Sequence, residues 1–158
     1  MEGRLPDTGD ALTGVEMFAA LDPEVRQRVV AAAVPRTYRK GQLLFVENDP
    51  GESLIVLKRG AVMVFKTAPT GERAVLNVMR PGHTIGEVSL LDGAPRSASV
   101  VAVQPTTVLM LSRATVLGLM VDHPAVLDAL LLSLGGLVRR LTEQTGDLVP
   151  ALRRHADA

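Results

Sequence analysis

Between Tyr38 and Ser112 a glycine recurs every 9 to 11 residues: Gly41, Gly51, Gly60, Gly71, Gly82 and Gly93. Short apolar runs fill the intervals, namely Leu43–Val46, Leu54–Leu57, Ala61–Phe65, Ala74–Met79, Ser99–Val103 and Val108–Leu111. Runs this short and rich in β-branched residues suit strands, and the glycines supply turns that need positive φ. Turn glycines at that interval predict an antiparallel β-roll, a jelly-roll type of barrel. Val62, Val64 and Phe65 alternate only partly with Met63 and Lys66. Some strands are therefore expected to be covered on both faces.

Helices are predicted on either side. Residues 1–13 are polar with Gly and Pro and are expected to be loose. Val15, Phe18 and Leu21 open the apolar pattern, and Asp22-Pro23 reads as an N-cap followed by proline at the first helical position. Val25, Val29, Ala32 and Ala33 share a helical face, and Pro35 stops the helix. After the roll, Ser112 caps a short helix over 113–122 that His123-Pro124 ends. Leu127, Leu130, Leu134, Leu137, Leu141, Leu148 and Ala151 then step by threes and fours, with Gln144 in the one missing slot. That is a heptad seam, which favours a homodimer through this helix over a helix packed only on its own barrel, although Leu131, Leu132 and Val138 give the second reading support. Gly135-Gly136 is a weak point, and Gly146 and Pro150 are expected to end or kink the helix. The fold class is thus mainly β with flanking helices, short at the N-terminus and long at the C-terminus. The expected division is a loose 1–13, a roll over 14–122 and a dimerisation helix with tail over 123–158.

Composition narrows the function. The 158 residues carry 17 basic and 17 acidic side chains, so the basic excess of a nucleic-acid-binding domain is absent. With no cysteine, disulfides, thiolate metal sites and thiol catalysis are excluded. Aromatics are only 3%, so the core must be built from Val, Leu, Ala and Met. The apolar stretch 129–138 is short and interrupted by Ser133, Gly135 and Gly136, so neither a membrane span nor a signal peptide is expected and the default is a cytoplasmic protein. His83, His123 and His155 have no metal-site spacing, and no metal is expected.

The chemistry concentrates in Ile85–Val100, I-G-E-V-S-L-L-D-G-A-P-R-S-A-S-V. Gly86-Glu87 starts a short helix carrying Val88, Leu90 and Leu91. Asp92-Gly93-Ala94-Pro95 breaks it and delivers Arg96, Ser97 and Ala98 at the start of a strand. The segment offers backbone N–H groups at a helix start, one carboxylate and one guanidinium. Unpaired N–H groups and a guanidinium hold an anion, and a carboxylate accepts from hydroxyls. A phosphate fused to a sugar with a free hydroxyl needs all three. Ser97 and Ala98 are small enough to let the backbone approach such a phosphate, and the Ser97 hydroxyl can donate to it or to a base.

This segment resembles the phosphate-binding cassette of cyclic nucleotide-binding domains. Gly86, Glu87, Leu90, Pro95, Arg96, Ser97 and Ala98 fill the family pattern, and the glycine spacing extends the resemblance over roughly 36–122. The resemblance implies that Arg96 binds the cyclic phosphate and Glu87 the ribose 2′-hydroxyl. The backbone of Gly86, Val88, Ser89, Ser97 and Ala98 would add contacts, and the phosphate oxygens would take local amides. No other cofactor is implied.

The order of short helices, roll and long helix resembles bacterial regulators of the Crp/Fnr type, which implies cyclic AMP before cyclic GMP. In that group the long helix gives hydroxyls to the base. Leu141 stands where the first is expected, leaving Thr142 or Thr145 as base contacts. Those regulators continue into a helix-turn-helix domain, whereas this sequence ends at Ala158, so direct DNA binding by this chain is not expected. The expected function is a cyclic nucleotide sensor, not an enzyme, that signals through its C-terminal helix and belongs with transcriptional regulators. A cupin-like barrel enzyme lacks the ligand cluster it would need here. A dimerisation scaffold without a nucleotide ligand is at odds with the intact Glu87 and Arg96.

Overall fold

The computed structural model describes the backbone of residues 18–156 and the side chains of 18–143. Residues 1–13 and Val15 lie outside the described residues, as do the side chains of Thr145, Leu148, Ala151 and His155. A helix, α1 (Pro23–Ala32), leads into eight strands: β1 (Val34–Tyr38), β2 (Leu43–Phe45), β3 (Ser53–Arg59), β4 (Val62–Thr67), β5 (Arg73–Met79), β6 (Thr84–Ile85), β7 (Ser99–Ala102) and β8 (Thr106–Ser112). The short helix α2 (Glu87–Asp92) interrupts them, and α3 (Arg113–Asp122) and α4 (Pro124–Ala156) close the chain. The strands form two four-stranded sheets, ordered β1-β8-β3-β6 and β2-β7-β4-β5, in which every pairing is antiparallel. This is the β-roll with flanking helices that the glycine ladder predicts.

Two apolar clusters explain the imperfect alternation. In β3, Ile55 and Leu57 point between the sheets, where they meet Val62, Ile85, Val100 and Val108. Leu54 and Val56 point the other way, onto Phe18, Val29, Val116, Val126 and Leu130 of the helical side. A strand buried on both faces shows no polar alternation. By contrast β5 is an edge strand, and Val75, Leu76 and Val78 are exposed.

Sequence reasoning missed β1 and β6. Pro35 does follow the helix, but it then sits in β1, at the edge of its sheet, the place where a strand tolerates proline. The two-residue β6 pairs with Ile55 and Val56 and is too short to leave a periodic signal. Among the ladder glycines, Gly41, Gly60, Gly71, Gly82 and Gly93 do have positive φ, but Gly51 does not. Gly51 is buried, and a Cβ on it would run into the Ser89 side chain and the Ala94 carbonyl, so it is a close-approach residue instead.

The helices also differ in detail. In α1 the buried pair is Val29 and Val30, with Ala32 exposed. Asp22 occupies the N-cap position without a side-chain cap bond. Ser112 does cap α3, accepting from the Thr115 N–H at 3.1 Å. The chain turns by 119° between α3 and α4, and among the described residues no single helix is long and apolar enough to cross a membrane. α4 runs through Gly146 and Pro150 as one 33-residue helix, so neither residue ends it.

The seam on α4 moves as well. Leu130 is spent on the intramolecular core together with Val126 and Ala129. The stripe left outward steps by four, three, four and three through Leu127, Leu131, Leu134, Val138 and Leu141. Leu134 is half-buried, and the other four are 40%, 55%, 61% and 54% exposed.

Candidate functional site

Gly86 sits at the N-cap of α2 with φ of 97°, a left-handed backbone that disfavours any side chain. Space is the second reason for glycine here: a Cβ would collide with Nη1 of Arg96. The next residue, Glu87, is the first of α2, and the Thr84 hydroxyl of β6 donates to its Oε1. This fixes one carboxylate oxygen from below. Sequence reasoning missed Thr84, which stands ahead of the N-cap Gly86 and belongs to no capping motif.

Arg96 is 4% exposed and is held on several sides. Its backbone N–H donates to the Asp49 carbonyl and its carbonyl accepts from Asn48 N–H, both at 2.8 Å. Asn48 itself has φ of 74°, so the loop after β2 is shaped around this arginine. Nη2 donates to the Ser53 carbonyl at 2.6 Å and to the Ser53 hydroxyl at 3.1 Å. The guanidinium carbon lies 4.4 Å from the centre of the Phe45 ring, a cation–π contact.

Two nitrogens, Nε and Nη1, are left buried and without a hydrogen-bond partner. Burial holds the guanidinium pKa below its ordinary value, and nearby Asp49 offsets part of that. A charged group with unsatisfied buried donors is costly unless an anion meets it. Ser53 and Phe45 come from strands far away in sequence, and no local signal announces either of them.

These residues line a cleft with about 430 Å³ of space, bounded by Phe45, Val64, Ile85, Gly86, Glu87, Val88, Ser89, Arg96, Ser97, Ala98 and Val100. All seven residues expected in the cassette site are therefore brought to one cavity. Their side chains are disposed unequally. Ser89 and Ala98 are buried, Ser97 is exposed at the rim, and Val88 is 52% exposed. Of the helix's expected apolar face only Leu90 is buried, while Leu91 is 38% exposed; the helix's other buried side chain is Ser89, so its inward face is not the purely apolar one expected.

Of the two residues expected to contact a base, only Thr142 has a described side chain. Thr142 donates to the Val138 carbonyl of its own helix at 2.9 Å and does not line the cavity. Thr145 lies outside the residues with described side chains. A second cleft of about 300 Å³ lies between Met79, Gly82, His83, Thr84, Glu87, Ser133 and Arg140, so Glu87 stands between the two.

Comparison with known proteins agrees with this geometry. Residues 35–123 match the family described as cyclic nucleotide-binding domain. The chain is 36% identical over 132 residues to the Cyclic AMP receptor protein of Thermus thermophilus, covering 84% of this chain and 60% of that one. It is 25% identical over 140 residues to the CRP-like cAMP-activated global transcriptional regulator of Mycobacterium tuberculosis, covering 89% and 62%. Among solved structures, the Thermus thermophilus Catabolite Activator Protein superposes with a TM-score of 0.77 at 33% identity, covering 84% of this chain and 62% of that one. The chain thus spans about three fifths of the length of the curated relatives it matches. With a roll of this topology, a matched span of 35–123 and relatives of this kind, the chain belongs to the cyclic nucleotide-binding domain family.

Proposed function

We propose that this chain is a sensor for a cyclic purine nucleotide, cyclic AMP before cyclic GMP, and not an enzyme. Arg96 takes the cyclic phosphate, Glu87 the ribose 2′-hydroxyl through its second carboxylate oxygen, and the backbone of Gly86–Ser89 and Ser97–Ala98 the remaining phosphate contacts. One observation carries this reading: the Nε and Nη1 atoms of Arg96 are buried and unpartnered beside a cleft that also holds Glu87. A phosphate supplies the missing acceptors and the missing charge in one group. The apolar wall of Val64, Ala98 and Val100 suits a flat base, with the Ser97 hydroxyl at the rim. The names of the relatives support cyclic AMP.

Calorimetry with cyclic AMP, cyclic GMP and 5′-AMP tests this directly. Cyclic AMP should bind best and 5′-AMP least, and no heat with either cyclic nucleotide at millimolar concentration would refute the reading. Glu87→Ala should cost about 1.5–3 kcal/mol for a lost charged hydrogen bond. It should also abolish discrimination against the 2′-deoxy analogue. A variant that still rejects that analogue removes Glu87 from the ribose.

We further propose that the protein is a cytoplasmic homodimer through α4, and that binding at the cleft is reported through that helix. The outward stripe of Leu127, Leu131 and Val138 supports the dimer. Contact of α2 with both β3 and α4 supports the route of the signal. As in the related regulators, the reader of the signal would be a transcriptional one.

A further inference from the structure

Arg113 is the first residue of α3, a place where the helix dipole disfavours a cation. Its side chain does not serve α3. It reaches back to the end of the cassette helix, where Nε donates to the Leu90 carbonyl at 2.7 Å and Nη2 lies 3.5 Å from the Leu91 carbonyl. Those are the last-turn carbonyls of α2, a helix with no basic residue in its own last turn. The negative end of α2 therefore receives its cation from another element. Gly93, left-handed at the C-cap, lies alongside the guanidinium, and a Cβ there would meet it at an ordinary contact distance of 3.7 Å. The backbone of Arg113 is tied as well, its N–H donating to the Glu52 carbonyl at 2.7 Å. Glu52 follows Gly51, whose bare Cα lets Ser89 of the cassette helix approach.

One residue thus joins three parts: the end of α2, the chain entering β3, and the start of the α3–α4 unit. The proposed ligand contacts lie at the opposite end of α2, at Gly86, Glu87 and Arg96. We infer that Arg113 is a positioning residue that fixes the C-terminal end of the cassette helix to α3, so that a shift of α2 on nucleotide binding is delivered to α3 and α4. This rests on the nucleotide reading above. A helix of six residues is too short to keep its place by its own backbone bonds. Without the Arg113 bonds, a pull at its first turn should be absorbed at its loose last turn.

The test uses the full chain with calorimetry and hydrogen exchange, with and without cyclic AMP. In the wild type, cyclic AMP should alter protection in 86–92 and in 113–134. Arg113→Ala should keep cyclic AMP affinity within about fivefold of wild type, the low edge of a typical coupling. It should keep the change in 86–92 and lose most of the change in 113–134. Arg113→Lys restores a charged donor without the planar fork, and should give an intermediate response. Should Arg113→Ala fail to fold, the lysine variant decides alone. An undiminished change in 113–134 in the variant that folds overturns the inference. So does a wild type that binds nucleotide with no change in 113–134. A wild type that takes up no nucleotide instead overturns the nucleotide reading, and does so before any variant is made.

Discussion

Arg96 is conspicuous because it is poorly satisfied where it sits. Its Nη2 is committed to Ser53 and its face to Phe45, while Nε and Nη1 have no partner. Replacing a buried charge by a well-packed apolar residue is often neutral or stabilising, whereas removing it from a binding site is not. Arg96→Leu should therefore weaken cyclic AMP by on the order of 2–5 kcal/mol. The same change should leave the ligand-free melting temperature unchanged or higher. A clear fall in that temperature would mean the arginine is structural first. Gly86 is bound to the same guanidinium by space and by φ. Gly86→Ala imposes about 1–3 kcal/mol of backbone strain and displaces Nη1. Titration should show the loss in affinity exceeding what Ala in place of exposed Gly71 causes, since Gly71 has open space around it.

At the scale of elements, the cassette helix is legible because its parts are close in sequence. Gly86-Glu87 and Pro95-Arg96 are separated by one short helix and one loop. The long helix is harder to read, since it serves two surfaces. Its a/d pattern is real, yet Leu130 and Val126 face inward and Leu131 and Val138 outward. Helical spacing alone does not say which of two adjacent apolar stripes meets the core. Charges on the outward stripe provide the test. Leu131→Glu with Val138→Glu should convert a dimer to a monomer in sedimentation while costing the fold little, because both side chains are already exposed. An unchanged dimer would place the interface elsewhere, and a wild-type monomer would remove it.

For the whole molecule, a ligand that binds only the native state stabilises it by mass action. At one hundred times its dissociation constant, cyclic AMP should add about 2.7 kcal/mol. At about 2–4 °C per kcal/mol for a chain of this size, that raises the melting temperature by roughly 5–11 °C. Scanning calorimetry over a nucleotide series should show the shift grow with the logarithm of concentration. A flat series would exclude native-state binding. Burial in the two clusters, one between the sheets and one beneath the helices, makes the roll and helices one cooperative unit, so a single transition is expected.

Periodic, local information sufficed for the roll and for its cassette. Turn glycines, short β-branched runs and the G-E…P-R segment each act within a dozen residues, where backbone sterics and spacing dominate. What required the tertiary structure was every choice between equivalent neighbours. Pro35 becomes part of a strand only because β8 offers it an edge. Gly51 is needed for the approach of Ser89, not for its own φ. Ser53 and Phe45 reach Arg96 from strands that are distant in the chain. Thr142 carries a hydroxyl in the expected stretch, and the structure gives it the Val138 carbonyl of its own helix as partner, a choice that helical spacing permits but does not impose. Long-range packing selects among these options by burial and hydrogen-bond satisfaction, and neither quantity is defined until the strands are in register.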